Sequence, residues 1–179
     1  MNFDKLIGRS GMTQQETELL MAVTGDSDIH IEIGCLWGSS AIASAIAGAK
    51  LVFTIDPMNG GWWNTKDPSV DLRPTRELVE LNFSIYAVAD RIKVIQLRSS
   101  PFPMPDIQAD TFLIDGDHSF EGIKTDWEIA IEHTKKSILI HDYGKETCPG
   151  VTKLVDEIAM NSGWKLVKQV DTLMVFSHV

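Results

Sequence analysis

Apolar positions along the chain switch repeatedly between a period of two and a period of three to four, and each switch marks a change of element. Thr13-Gln14-Gln15-Glu16 has the form of a capping box, opening a helix that the pattern carries to Gly25. Ile29, Ile31 and Ile33 alternate as a first strand ending on Gly34, and a small-residue helix over 39–47 follows at once. Residues 51–55 read as a second strand ending on Asp56. Pro74 suits the first turn of a helix with Leu78, Leu81, Ile85 and Val88 at helical spacing. A third strand spans 92–97. The proline-dense run 99–105 cannot be a regular helix, so a loop leads to the fourth strand at 111–114. Ile123, Trp127, Ala130 and Ile131 predict one helical face, 137–140 a fifth strand ending on His141-Asp142, and Val151, Leu154, Val155 and Ile158 a further helix before Gly163. Segments 164–170 and 173–177, parted by Asp171-Thr172, form a closing antiparallel hairpin.

Seven strands alternating with about five helices predict an α/β fold built on a parallel sheet. The 179 residues suit one domain, here 1–179, with an N-terminal arm over 1–12 and a loop over 57–73 that carries Gly60-Gly61-Trp62-Trp63. With 44% apolar and 23% charged residues the composition is that of a globular protein. The 16 Lys and Arg against 25 Asp and Glu leave a net charge of −9, which repels phosphate polymers and anionic bilayers at long range. No apolar run is long enough to span a bilayer, and residues 1–11 carry no signal-peptide core, so a cytoplasmic location is expected. Cys35 and Cys148 form no disulfide framework and lack zinc-site spacing; each reads as a small buried residue. The Asn82-Phe83-Ser84 sequon falls inside a helical pattern.

In an open α/β sheet, ligands bind outside the carboxyl ends of the strands, so chemistry belongs to the residues just after each one. These are polar here: Gly34 to Gly38 after the first strand, Asp56 after the second, Ser99 and Ser100 after the third, Asp115, Asp117 and His118 after the fourth, and His141 and Asp142 after the fifth. A nicotinamide fingerprint starting at Gly34 needs glycine where the chain has Leu36 and Ser39, and a P-loop needs a lysine after Gly38. What fits is Glu32-x-Gly34-x-x-x-Gly38 with an acid, Asp56, able to accept both hydroxyls of a ribose. The glycines permit a tight turn and close approach of a ligand to the main chain, and the helix starting near Ser39 offers free N–H groups.

Phe112-Leu113-Ile114-Asp115-Gly116-Asp117-His118-Ser119-Phe120-Glu121-Gly122 and Ile138-Leu139-Ile140-His141-Asp142-Tyr143 resemble the class I S-adenosylmethionine-dependent methyltransferases. The branch they are most similar to is the small-molecule O-methyltransferases with an Ile-Asp-Gly-Asp-His signature; Cys148-Pro149-Gly150 also looks like the catechol-type enzymes. The resemblance covers about residues 13–179 and implies a Rossmann-like seven-stranded sheet of order 3-2-1-4-5-7-6, strand seven antiparallel. It implies that Glu32, Gly34, Gly38 and Ser39 line the methionine and ribose part of S-adenosylmethionine, Asp56 the ribose hydroxyls, and Ser99 or Ser100 the adenine edge. It also implies that Asp115, with His141 and Asp142, stands where such enzymes often hold Mg²⁺ or another divalent cation.

Methyl transfer to a hydroxyl requires an aligned and deprotonated oxygen. Asp115 and Asp142 fit a metal-assisted route, whereas His118 fits a metal-free one as general base. Asp117 and His118 have a plain alternative, capping the helix that starts near Ser119. Imidazole at position 141 suits a softer metal, or a base and no metal. The acceptor expected is a small hydroxylated molecule, a sugar or a phenol. Trp62 and Trp63 offer a flat face for its ring or, alternatively, a contact in a homo-oligomer. Two rivals stay open: a nicotinamide-type oxidoreductase or nucleotide-sugar enzyme, against which Leu36 speaks, and a non-catalytic cofactor-binding protein, against which the polar strand ends speak.

Overall fold

The computed structural model describes residues 3–58 and 74–178. The strands are β1 (Ile29–Ile33), β2 (Leu51–Ile55), β3 (Ile92–Ile95), β4 (Ala109–Ile114), β5 (Thr134–Ile140), β6 (Lys165–Val170) and β7 (Leu173–Ser177). The helices are α1 (Gln14–Thr24), α2 (Ser39–Ala47), α3 (Arg76–Ile85), α4 (Phe120–His133) and α5 (Pro149–Glu157). The sheet order is β3-β2-β1-β4-β5-β7-β6, with β1 to β5 mutually parallel and β7 antiparallel to both β5 and β6. This is the expected order. Because β1 to β5 are parallel, their carboxyl ends and the polar residues that follow them lie on one edge, and the order switches between β1 and β4.

Helix boundaries follow capping chemistry. Thr13 and Glu16 make the reciprocal capping box at α1, and Ser119 accepts from the Gly122 N–H at α4. Pro74 does not enter the first turn of α3; Thr75 takes the N-cap and its hydroxyl accepts from the Leu78 N–H, so the helix starts at Arg76. That helix stops at Ile85, and Val88 packs into the core from the turn beyond it. On α4 the buried face is Ile123, Trp127 and Ala130, whereas Ile131 is exposed. Trp127 meets Phe176 of β7 edge-on at 5.7 Å; truncating an anchor of this size costs about 3–5 kcal/mol. Strand β3 ends at Ile95 rather than residue 97, while β4 and β5 start earlier than the apolar runs because Asp110 and Thr134 are buried within the ladder.

No helix joins β3 to β4. Residues 96–108 instead run down the face of the sheet beside α4, with the Phe102 ring 4.5 Å from His133 and 6.4 Å from Phe112, while His133 Nδ1 meets the Ile107 carbonyl at 2.9 Å. The arm over 3–12 packs Phe3 edge-on against Tyr86 and ties Ile7 to α3. Most of the expected 57–73 loop, including Trp62 and Trp63, lies outside the described residues. Among the described residues no helix is long and apolar enough to cross a membrane.

Candidate active site

The loop after β1 is shaped by what packs on it. Gly34 has φ +93°, and a Cβ there would stand 2.0 Å from the Asp115 carbonyl oxygen; at Gly38 it would meet the Phe83 ring at 2.4 Å. The positive φ at both glycines is the expected tight turn, and the side where a Cβ would stand is filled by protein. Asp56 Oδ2 accepts from the N–H groups of Cys35 and Leu36 at 2.8 and 3.4 Å, and Oδ1 from Met58 at 2.7 Å. On the other side Asn82, fully buried, donates to the carbonyls of Trp37 and Ile7 at 3.0 Å each and accepts from the Ile7 N–H at 2.8 Å. The loop is thus gripped by its N–H groups from β2 and by a carbonyl from α3. No side chain caps α2, which leaves the first N–H groups after Gly38 and Ser39 without a side-chain acceptor.

Glu32 lies beneath this loop on β1, opposite Thr54 of β2. It is fully buried, and neither carboxylate oxygen has a hydrogen-bond partner; Thr54 Oγ1 has none either. Burial pushes its pKa up to about 8, with the Thr54 and Ser40 hydroxyls close enough to oppose the shift and Asp115 and Asp56 adding to it. A buried carboxyl with two empty acceptors is costly, and its natural complement is a ligand that brings donors.

At the third strand end, the Ser99 hydroxyl donates to Asp126 Oδ1 at 2.6 Å, while Ser100 is exposed. Asp126, on the buried face of α4, has its pKa pushed up to about 6 by burial, against the Ser99 bond and with Asp117 nearby. Asp117 Oδ1 accepts from the Ser119 N–H at 2.9 Å, a turn just ahead of the helix, while the cap of α4 is Ser119 itself rather than Asp117 or His118.

The ends of β4 and β5 bring together Asp115, His118, His141 and Asp142. His141 is 2% exposed, and carboxylates face both of its ring nitrogens: Nδ1 is 3.1 Å from Asp115 Oδ1 and 3.2 Å from Asp142 Oδ1, and Nε2 is 3.3 Å from Glu16 Oε2. Burial opposes a charge on the ring, but these three acids overcome it and raise its pKa to about 10. Asp115 is driven down to about 2, burial opposing and His141 and His118 prevailing. Lys145 also donates to Asp142 Oδ1. Asp142 has φ +70°, an uncommon backbone for a non-glycine residue that neighbouring structure must hold in place.

His118 is the accessible member, with 32% of its side chain exposed. Its Nε2 is 3.7 Å from Asp115 and 3.2 Å from Asp142 Oδ2, close enough for charge interaction yet without hydrogen-bond alignment. Asp115 is the main influence raising its pKa, helped by Asp142 and opposed by burial and His141. Its Nδ1 is 3.3 Å from Cys148 Sγ.

Glu16, Asn82, Asp126 and Lys145 are the members that sequence reasoning missed. Glu16 is more than a cap: Oε2 accepts from Thr13 N–H at 2.8 Å, and Oε1 from the N–H and hydroxyl of Thr172 at 2.9 and 2.6 Å, which joins α1 to the β6–β7 turn behind His141. These bonds and His141 overcome burial and hold its carboxyl far below the usual range. Asp126 did leave a signal, an acid inside the Ile123–Trp127–Ala130 stripe.

A seven-stranded sheet of this order, with an antiparallel seventh strand, is the Rossmann-like fold of the S-adenosylmethionine-dependent methyltransferases. No family model and no curated protein matches the sequence. Solved structures do match in fold. Cofactor-bound Rv0187 from MTB is 17% identical with a TM-score of 0.67, covering 96% of this chain and 82% of that one. The O-methyltransferase from Bacillus cereus in complex with SAH is 15% identical, TM-score 0.63, covering 97% and 84%. The ribosomal protein L11 methylase from Lactobacillus delbrueckii subsp. bulgaricus is 12% identical, TM-score 0.59, covering 93% and 79%. What this chain shares with them is the fold.

Proposed function

We propose that this chain is an S-adenosylmethionine-dependent methyltransferase that methylates a hydroxyl of a small molecule. The observation that carries the reading is Glu32, a fully buried carboxyl with two unpartnered oxygens beneath a braced loop at the switch point of the sheet. Its acceptors would take the ammonium end of the cofactor, the lone pairs that Asp56 keeps beside its loop N–H bonds would take a ribose hydroxyl, and Ser99 would meet the adenine side. When bound, the cofactor supplies an electrophilic methyl group. The net charge of −9 favours a small acceptor over an RNA.

His118 is the base in this reading. Its ring is partly exposed but Nε2 lies buried between the acids, so the ring must turn to bring Nε2 to the acceptor's hydroxyl proton, and the imidazolium so formed is stabilised by Asp115 and Asp142. His141 does not reach substrate; its role is to neutralise the two acids from behind. The Asp115, His141 and Asp142 donors lie within 4.8 Å of one another, but a divalent cation there would have to expel the Nδ1 proton and displace Lys145 from the same Asp142 oxygen. With a pKa of about 10, losing that proton at pH 7 alone costs about 4 kcal/mol. We therefore assign the positive charge at this position to the protein itself, and no step runs through a metal.

Calorimetric titration with S-adenosylmethionine and S-adenosylhomocysteine tests the first claim, with sub-millimolar binding of both expected. Absence of binding, or tight binding of NAD instead, overturns it. Methyl transfer to a panel of sugars and phenols should then survive exhaustive chelation; strict dependence on added Mg²⁺ would remove the assignment of His141.

A further inference from the structure

Cys148 takes no part in the chemistry above, yet it is 5% exposed and sits against the base. Its sulfur is 3.3 Å from His118 Nδ1 and 3.6 Å from Asp142 Oδ2, and His118 Nε2 is 3.2 Å from that same oxygen. All three residues offer donor atoms within 4.8 Å of one another. The cluster is built into the fold. Cys148 is the N-cap of α5 and His118 lies one residue before the N-cap of α4; the two helix starts abut so closely that a Cβ on Gly150 would stand 2.4 Å from the His118 carbonyl. His118 Nε2 is buried and has no hydrogen bond, so one strong donor of the cluster is unclaimed.

We propose that His118, Asp142 and Cys148 form a binding site for a thiophilic divalent cation of the zinc type, and that filling it switches methyl transfer off. Sulfur, imidazole and carboxylate together are a zinc-type donor set, and a fourth position remains for water. A tetrahedron with metal–ligand distances of about 2.0–2.3 Å has edges of about 3.3–3.8 Å; the Nε2–Oδ2 and Sγ–Oδ2 spacings of 3.2 and 3.6 Å are close to this, and the sulfur lies within 4.8 Å of the ligating nitrogen. The site uses Oδ2 of Asp142, whereas His141 and Lys145 hold Oδ1; Oδ2 accepts the Cys148 S–H, the proton that a bound cation would displace. The same trio is poorly arranged as a nucleophilic triad: the sulfur faces the Asp142 charge directly, which keeps the thiol protonated until a cation displaces the proton. The cation would occupy the imidazole that otherwise accepts the substrate proton; this second half rests on the methyltransferase reading, the binding half does not.

The test uses the full chain under reducing conditions. One equivalent of Co²⁺ should produce a sulfur-to-cobalt charge-transfer absorption in the near ultraviolet, kept in Cys35→Ser and lost in Cys148→Ser. A wild-type chain without the band in tenfold excess of Co²⁺, or a Cys148→Ser chain that keeps it, overturns the site. Stoichiometric Zn²⁺ should lower wild-type methyl transfer at least tenfold, reversibly with chelator, and Cys148→Ser should need at least tenfold more. Equal zinc sensitivity of the two overturns the switch. If the band follows Cys148 but no methyl transfer is found with any acceptor, the site stands and the methyltransferase reading is the one that fails.

Discussion

Glu32 offers a prediction in which stability and function pull apart. Its carboxyl moves from an ordinary 4.5 to about 8 in the folded chain because burial disfavours the charge. Below pH 4.5 the folded and unfolded chains are both protonated at this residue, and it adds nothing to the pH dependence of stability. Between pH 4.5 and 8 the unfolded chain is ionised while the folded one keeps its proton, so stability falls as pH rises, by about 1.4 kcal/mol per unit. The loss levels off above pH 8 at no more than about 5 kcal/mol. Glu32→Gln keeps the shape and removes the charge. Urea denaturation at pH 5 and pH 8 should show the variant gaining several kcal/mol on the wild type between the two, a rise of roughly 10 °C in melting temperature at pH 8. The same variant should bind S-adenosylhomocysteine at least tenfold more weakly. A stability difference that does not change with pH would refute the reasoning about burial, and undiminished cofactor binding would refute the assigned role.

Other expectations follow from the same geometry. His118→Asn should lower kcat by about 10²- to 10⁴-fold while leaving cofactor affinity within threefold. Because Asp115 and Asp142 raise the His118 pKa, the basic form appears only at higher pH, and the rising limb of the wild-type pH–rate profile should lie above 6.5. His30 is fully buried with Nδ1 on Thr111 and Nε2 unpartnered, and burial lowers its pKa to about 4. The unfolded chain therefore binds a proton that the native chain refuses as pH falls from 6.5 to 4. Wild-type stability should drop by about 2 kcal/mol between pH 7 and 5 from this residue, and His30→Asn, which can keep the Thr111 bond, should lose that increment.

The strand order and the polar edge were legible because parallel strands alternate with helices and each strand ends abruptly on a polar residue. Asp56, Asp115, His118, His141 and Asp142 all stand where that pattern puts them. What the pattern could not convey is which atoms face one another. Glu16 reads locally as a capping residue, and it is one; its second role exists only because the sheet order lays the start of α1 against the end of β5, a distance of 125 residues in the chain. Asn82 shows the same limit from the other side, since a helical asparagine that opens a sequon gives no hint that it braces a loop at Trp37 and an arm at Ile7. The tight turn at the loop glycines was legible, but only the structure shows the Asp115 carbonyl and the Phe83 ring packed against them.

The two halves of the site also differ in when they can exist. Every side-chain hydrogen bond that braces the loop after β1 comes from residues 7 to 82, so during synthesis these bonds can form once α3 has left the ribosome, before Asp115 packs on Gly34. The ionic half cannot, because Glu16 is fixed by Thr172, 156 residues later. Until the closing hairpin docks, Glu16 lacks its Thr172 bonds and the Nε2 side of His141 has no fixed acid. A nascent or C-terminally clipped chain should thus pass through a state with an ordered cofactor loop and an unassembled strand-end cluster, a folding intermediate whose boundary runs through the middle of the site.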